Sequence, residues 1–176
     1  MSAMDLALAL ATCLILIISV FTDVRYGRIY NAVTVPFALL GLILRTVDGG
    51  VGGLLQSLGG LGIGLAMFFV SALVGRILGA GDCKLFAAVG ALQGPQFMLW
   101  TILYSLLAGG IFALIVAAWR GILGPSLDRV WRSAYMRIAM KVPMDIEQSD
   151  RRARLPYAIA ISAGVLYMLF QSGTSL

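Results

Sequence analysis

The chain has 176 residues, 60% of them hydrophobic and 12% charged, with a mean hydropathy of +0.96. That is too apolar for a water-soluble domain and points to an all-α polytopic membrane protein with no room for a separate soluble domain. There is no histidine, and the two cysteines, Cys13 and Cys83, form no Cys-x-x-Cys pair, which argues against a zinc site or a Ser/His triad. The net charge of +5 could suggest nucleic acid, but its distribution along the chain fits lipid instead.

In chain order, Met4 to Thr22 is an apolar run of the length a bilayer requires. Its leading flank carries Asp5 and no Lys or Arg, so it reads as a retained first helix and not as a secretory signal. Asp23 to Asn31 is a short polar connection. Ala32 to Leu44 is a second apolar segment, short and containing Pro36, and a glycine-rich loop follows from Arg45 to Gly53. Leu54 to Val74 is the third segment, with Gly60 and Gly64 at the small-xxx-small spacing of closely packed helices. Arg76 to Lys84 is a charged, glycine-flanked break. Leu85 to Gln93 is a short fourth segment ended by Gly94-Pro95, and Phe97 to Trp119 is a fifth. A basic loop runs from Arg120 to Arg154, and Leu155 to Phe170 is the sixth segment. The expectation is a single transmembrane domain over residues 1–176, with six membrane helices and a basic cytoplasmic loop at about 120–154.

The positive-inside rule orients this arrangement. With the N-terminus outside, the inner connections hold Arg25 and Arg28, then Arg76 and Lys84, then the eight basic residues from Arg120 to Arg154. Of the chain's 13 Lys and Arg, only Arg45 falls outside. Both termini are then external, and Asp23 and Asp82 share the cytoplasmic face. Within the long loop, Leu127, Val130, Trp131, Ala134 and Ile138 recur at helical spacing with Arg129 and Arg132 opposite them. That pattern suits an amphipathic helix on anionic headgroups, or a solvated loop that fixes topology.

Asp82, in Gly79-Ala80-Gly81-Asp82-Cys83-Lys84, is the residue most in need of a reason. Charge near hydrocarbon is disfavoured by ~3 kcal/mol or more. The segment after it rises only ~14 Å as a helix, half the thickness of the hydrocarbon core. Asp82 is therefore expected in a water-accessible cleft below the membrane surface, where Gly79 and Gly81 permit unusual backbone and close approach. Two neighbouring carboxylates titrate as a coupled pair. The ionised member can activate water while the protonated one polarises a peptide carbonyl and then protonates the leaving amine. Asp23 is the candidate partner. The same residues also fit two interfacial acids paired with Arg25 and Lys84, a proton-relay carrier, or a structural assembly subunit.

Gly79-Ala80-Gly81-Asp82-Cys83-Lys84-Leu85 resembles the Gly-x-Gly-Asp-x-Lys-Leu signature of the type IV prepilin peptidases, the GxGD membrane aspartic proteases. Asp23 with Arg28-Ile29-Tyr30-Asn31 is similar to that family's first motif, Tyr30 standing where the motif has proline. Leu155-Pro156-Tyr157-Ala158-Ile159-Ala160, with Gly164, resembles the start of its last helices.

The resemblance implies that Asp23 and Asp82 are the catalytic pair, that Gly79, Gly81 and Lys84 shape the site, and that neither metal nor other cofactor takes part. It implies prepilin or pseudopilin precursors as substrates, cut after a basic leader at the cytoplasmic face of a bacterial inner membrane. Asp145, Glu147 and Asp150 could meet that leader. The four-cysteine zinc segment and N-terminal extension of larger members are absent from this sequence, so cleavage without methylation is expected. The compact form resembles the peptidases of tight-adherence (Flp) pili. A GxGD protease with another substrate, such as an archaeal preflagellin, is an alternative.

Overall fold

The computed structural model describes residues 3–74, 79–119 and 157–174. Arg76, the basic loop with its amphipathic stretch and its acids Asp145, Glu147 and Asp150, and the Leu155-Pro156 pair lie outside the described residues. Those described form helices and no strand: α1 (Ala3–Tyr26), α2 (Asn31–Val74), α3 (Ala80–Gln93), α4 (Pro95–Trp119) and α5 (Tyr157–Thr174). The chain divides into two compact units, Met1–Gly109 with Pro156–Leu176, and Gly110–Leu155. Of the second, the described part is the closing turns of α4; everything below concerns the first.

Among the described residues three helices are long and apolar enough to cross a membrane: Ala3–Tyr26, Asn31–Leu73 and Pro95–Phe112, with a shorter apolar run at Ala158–Gln171. The six expected segments map onto five helices, because the second and third are joined in α2. The expected loop from Arg45 to Gly53 is not a loop. Helix continues on both sides of Gly50, whose φ of 56° and ψ of −135° make the turn in one residue. Glycine alone reaches such a conformation without strain. Gly41 and Ser57, on opposite sides of Gly50, both meet Ala91, so the two limbs of α2 double back along α3. A side chain at Gly53 would run into the Arg45 carbonyl. Of the four glycines that look like loop formers in the sequence, Gly50 therefore makes the turn and Gly53 serves close approach.

α1 also differs from expectation. It runs past Thr22 because nothing breaks it before Gly27, whose φ of 62° and N–H to the Asp23 carbonyl (2.8 Å) close the helix. Asp23 is thus held in the last turn of a helix and not in a flexible connection. Along α1, Leu6, Leu10, Leu14, Ile17 and Phe21 are exposed, while Leu8, Thr12, Ile15, Leu16 and Ser19 are buried. The exposed stripe is the face a lipid tail would cover.

α3 is the centre of the unit. All but a few of its 14 residues are buried, from Asp82 and Cys83 to Leu92, and Leu85, Phe86, Val89 and Leu92 join the core with residues of α1, α4 and α5. Glycines make this possible. Gly60 of α2 and Gly90 of α3 meet backbone to backbone, and Gly64 seats Ala87 one turn away. The Gly60/Gly64 spacing read in the sequence is therefore a packing surface for α3.

Such a helix must satisfy its terminal carbonyls without water. Gly94 N–H donates to Gly90 O at 2.8 Å, and Ser57 Oγ donates to Ala91 O at 2.7 Å. Arg45 supplies the rest, Nε to Leu92 O at 3.0 Å and Nη2 to Gln93 O at 2.7 Å. A cation at a helix C-terminus is also favoured by the helix dipole. Pro95, which has no N–H to lose, then opens α4 directly.

Replacing Gly60 tests this packing. Gly60→Ala drives a methyl group into the Gly90 backbone, and overpacking of this kind costs ~1–3 kcal/mol. Gly62→Ala, where nothing lies within 4 Å, is expected to be neutral or slightly stabilising. Thermal unfolding of the two variants in detergent should separate them, with only the first showing a lowered midpoint.

Candidate active site

Gly79 precedes α3 with extended backbone (φ −69°, ψ 151°) and acts as its N-cap. Asp82 falls on the third residue of the helix, where a carboxylate can reach back to the cap. Its Oδ2 accepts the Gly79 N–H at 3.0 Å. Only 8% of Asp82 is exposed, although it stands at the end of a helix. Gly81, beside it, is pressed on Ile29; a Cβ there would sit 3.1 Å from the Ile29 Cβ. This is why the connection after α1 lies over the start of α3.

Asp23 reaches the same region from α1. Its Oδ2 accepts the N–H of Ala158, in the first turn of α5, at 3.3 Å. Both carboxylates therefore meet a backbone N–H at the N-terminal end of a helix, where a negative charge is favoured, although Asp23 itself belongs to the last turn of α1. Each uses one carboxylate oxygen in these bonds and keeps the other. Asp23 is half-buried and Asp82 is buried. Lys84 is on the exposed rim, where its Nζ donates to Asn31 Oδ1 at 2.8 Å and ties the start of α2 to the first turn of α3. Among the described residues no group of three or more His, Cys, Asp or Glu is placed to hold a metal ion.

α3 is not one of the helices long enough to span a membrane, and Asp82 lies in its first turn. Burial pushes the Asp82 carboxyl up to about 6 from its ordinary 3.8; the Gly79 N–H opposes this and the nearby charge of Asp23 adds a smaller upward push. A group so placed keeps a proton at pH values where an ordinary aspartate has lost it. The fold brings Asp23 close enough to Asp82 for its charge to be felt there. The backbone N–H of Ala158, the seat of Ile29 on Gly81 and the partner of Lys84 were not legible as roles. Ile29, Asn31 and Ala158 all stood in the sequence motifs, but the contact of the Ala158 N–H with Asp23 could be placed only by the fold.

The fold and site define a class: a bundle of apolar helices that brings two carboxylates from distant helices to one end. The profile of the type IV leader peptidase family matches residues 10–114, well over half of the chain, and the chain belongs to that family. Its apolar helices accord with a membrane protein. It is also similar to a prepilin leader peptidase/N-methyltransferase of Bacillus subtilis strain 168, 28% identical over 101 residues. That stretch is 56% of this chain and 40% of the relative, so the chain covers well under two thirds of the relative's length. No solved structure matches.

The raised Asp82 carboxyl has a consequence for stability. Below 3.8 Asp82 carries its proton folded and unfolded, and the two states are balanced. As pH rises from there through about 6, the unfolded chain gives up the proton first, and stability is lost. Asp82→Asn removes this titration and keeps an oxygen for Gly79. It should therefore unfold at a higher temperature than the parent at pH 7.5, by up to about 3 kcal/mol in stability, and show no such advantage at pH 3.5. Parallel melting curves at the two pH values check this.

Proposed function

We propose that this protein is a membrane aspartic endopeptidase that removes the basic leader from prepilin-like precursors. The observation that carries the reading is the nearness of Asp23 to Asp82, with burial keeping the Asp82 carboxyl protonated to a higher pH than an ordinary aspartate. Family membership supports peptide cleavage, and the relative's name supports a prepilin as the substrate class.

Asp82, as the protonated partner, donates a hydrogen bond to the scissile carbonyl oxygen. Asp23, as the ionised partner, takes a proton from water, and the water oxygen attacks the carbonyl carbon. The tetrahedral intermediate collapses as the carbon–nitrogen bond breaks, and a proton passes from the pair to the leaving amine. Water is restored to the site by exchange with solvent, which the half-buried Asp23 permits. The substrate must be extended at the cut, because a helical segment shields its carbonyls.

The charge asymmetry of the chain supports an orientation with both acids at the cytoplasmic face, beside Arg25, Arg28 and Lys84, and with both termini outside. A leader kept in the cytoplasm and followed by an apolar helix would then meet the pair as it leaves the bilayer. Gly79 and Gly81 shape the approach, and Lys84 holds the rim through Asn31. The shortness of α3 is tolerable because its neighbours, not lipid, cover it.

One other reading has an observation in its favour. Asp82 occupies a helix-capping position, where a carboxylate stabilises a helix with no chemistry at all. Co-expression with a pilin precursor separates the two. Asp23→Asn and Asp82→Asn should each lower processing by roughly 10³-fold or more, at unchanged abundance in the membrane. The amide of Asp82→Asn preserves the cap, so normal processing by that variant would leave only the structural role. Processing by detergent-solubilised protein should be unaffected by EDTA.

A further inference from the structure

A second concave site lies at the other end of α3, roughly 16 Å along the helix axis from Asp82. It is a cavity of about 630 Å³, lined by Gln56, Gln93, Gln96, Trp100, Tyr104 and Met168 among others, and none of its lining residues carries a formal charge. That volume is within the range of small-molecule sites. Nothing in peptide cleavage at Asp23 and Asp82 uses it.

Two of its amides are fixed in orientation by chemistry. Arg45 Nη1 donates to Gln56 Oε1 at 3.3 Å. A guanidinium can only donate, so Gln56 turns its oxygen to Arg45 and its NH₂ remains for another partner. Thr12 Oγ1 donates its hydrogen to Leu8 O at 2.7 Å, so towards Gln93 it can only accept. Gln93 Nε2 meets it at 2.8 Å, and Gln93 keeps its carbonyl oxygen. The cavity is thus bordered by one held donor and one held acceptor.

Beside these amides, Trp100 and Tyr104 stack with centroids 6.3 Å apart and planes 28° apart, and Tyr167 packs on Tyr104 at 4.7 Å. Arg45, which holds Gln56 and two α3 carbonyls, is not among the residues that line the cavity, and the lining itself carries no formal charge. An anionic headgroup would therefore find no cation in the lining. A sugar ring fits on all three counts. It is neutral, its adjacent hydroxyls answer a donor beside an acceptor, and its apolar C–H face can rest on an aromatic platform.

We infer that this cavity binds the sugar ring of a neutral glycolipid headgroup or of a free saccharide. The inference is independent of the peptidase reading.

The test uses the full chain in phosphatidylcholine nanodiscs, with Trp119→Phe and Trp131→Phe so that Trp100 alone reports. Titration with octyl glucoside should change its emission saturably, and octyl phosphocholine, with the same chain, should not. Gln56→Leu and Gln93→Leu should each weaken the response roughly fivefold. Gln56→Leu leaves Arg45 its two backbone partners, so it guards against a trivial loss of fold. A response to free maltose would identify a soluble saccharide as sufficient, and a response to the glucoside alone would identify a glycolipid. Equal responses to the two octyl headgroups, unchanged affinity in both glutamine variants, or a response to an uncharged tetrapeptide with the glucoside inert would each overturn the assignment.

Discussion

The structure depends on covering a short helix completely. α3 is 14 residues long and is enclosed along nearly its whole length, so its backbone ends must find partners inside the protein. At its C-terminus these are Arg45, Ser57 and Gly94. At its N-terminus Asp82 answers the N–H of Gly79. Leaving a buried polar group unpaired costs ~1–3 kcal/mol, comparable to a sizeable fraction of a domain's stability. The turn of α2 at a single glycine follows from the same demand, since it brings both limbs of the helix against α3.

The end of the molecule that carries the two acids grows from that constraint. Because α3 is sealed, Asp82 loses most of its water while remaining in the first turn, and the carboxyl is pushed towards its protonated form. α1 ends one turn beyond Asp23, closed by Gly27, and the first turn of α5 offers Asp23 a backbone N–H. Three helices distant in sequence thus converge on a pair of acids. In the proposed chemistry the fold supplies an asymmetry between two identical side chains, one enclosed and one half-open to solvent. The two ends of α3 differ in kind: carboxylates at one, amides and aromatic rings at the other.

Much of this was legible in the sequence, for identifiable reasons. Charge is rare in so apolar a chain, so Asp23 and Asp82 stood out, and the glycine pattern around Asp82 marked a close approach. Helix order was legible from apolar runs. What failed was the meaning of the other glycines. Gly49, Gly50, Gly52 and Gly53 read as a loop, yet one of them turns the chain and Gly53 lets the limbs meet. Composition cannot separate these uses, because each requires only a missing side chain. Arg45 was read as a lone charge on the outer side. Its role depends on α3 carbonyls 47 and 48 positions away, which no local pattern reveals. The extension of α1 through Asp23 was missed because polarity was taken to end the helix, whereas backbone geometry at Gly27 ends it.

The central claim is that Asp23 and Asp82 face each other across a common, solvent-reached space. The most direct measurement is crosslinking of Asp23→Cys with Asp82→Cys, in a chain with Cys13→Ser and Cys83→Ser, using a short bismaleimide on native membranes. The account predicts an intramolecular bridge between the two positions, absent when either cysteine is omitted. Efficient labelling of both cysteines by single maleimides, with no bridge between them, would contradict it.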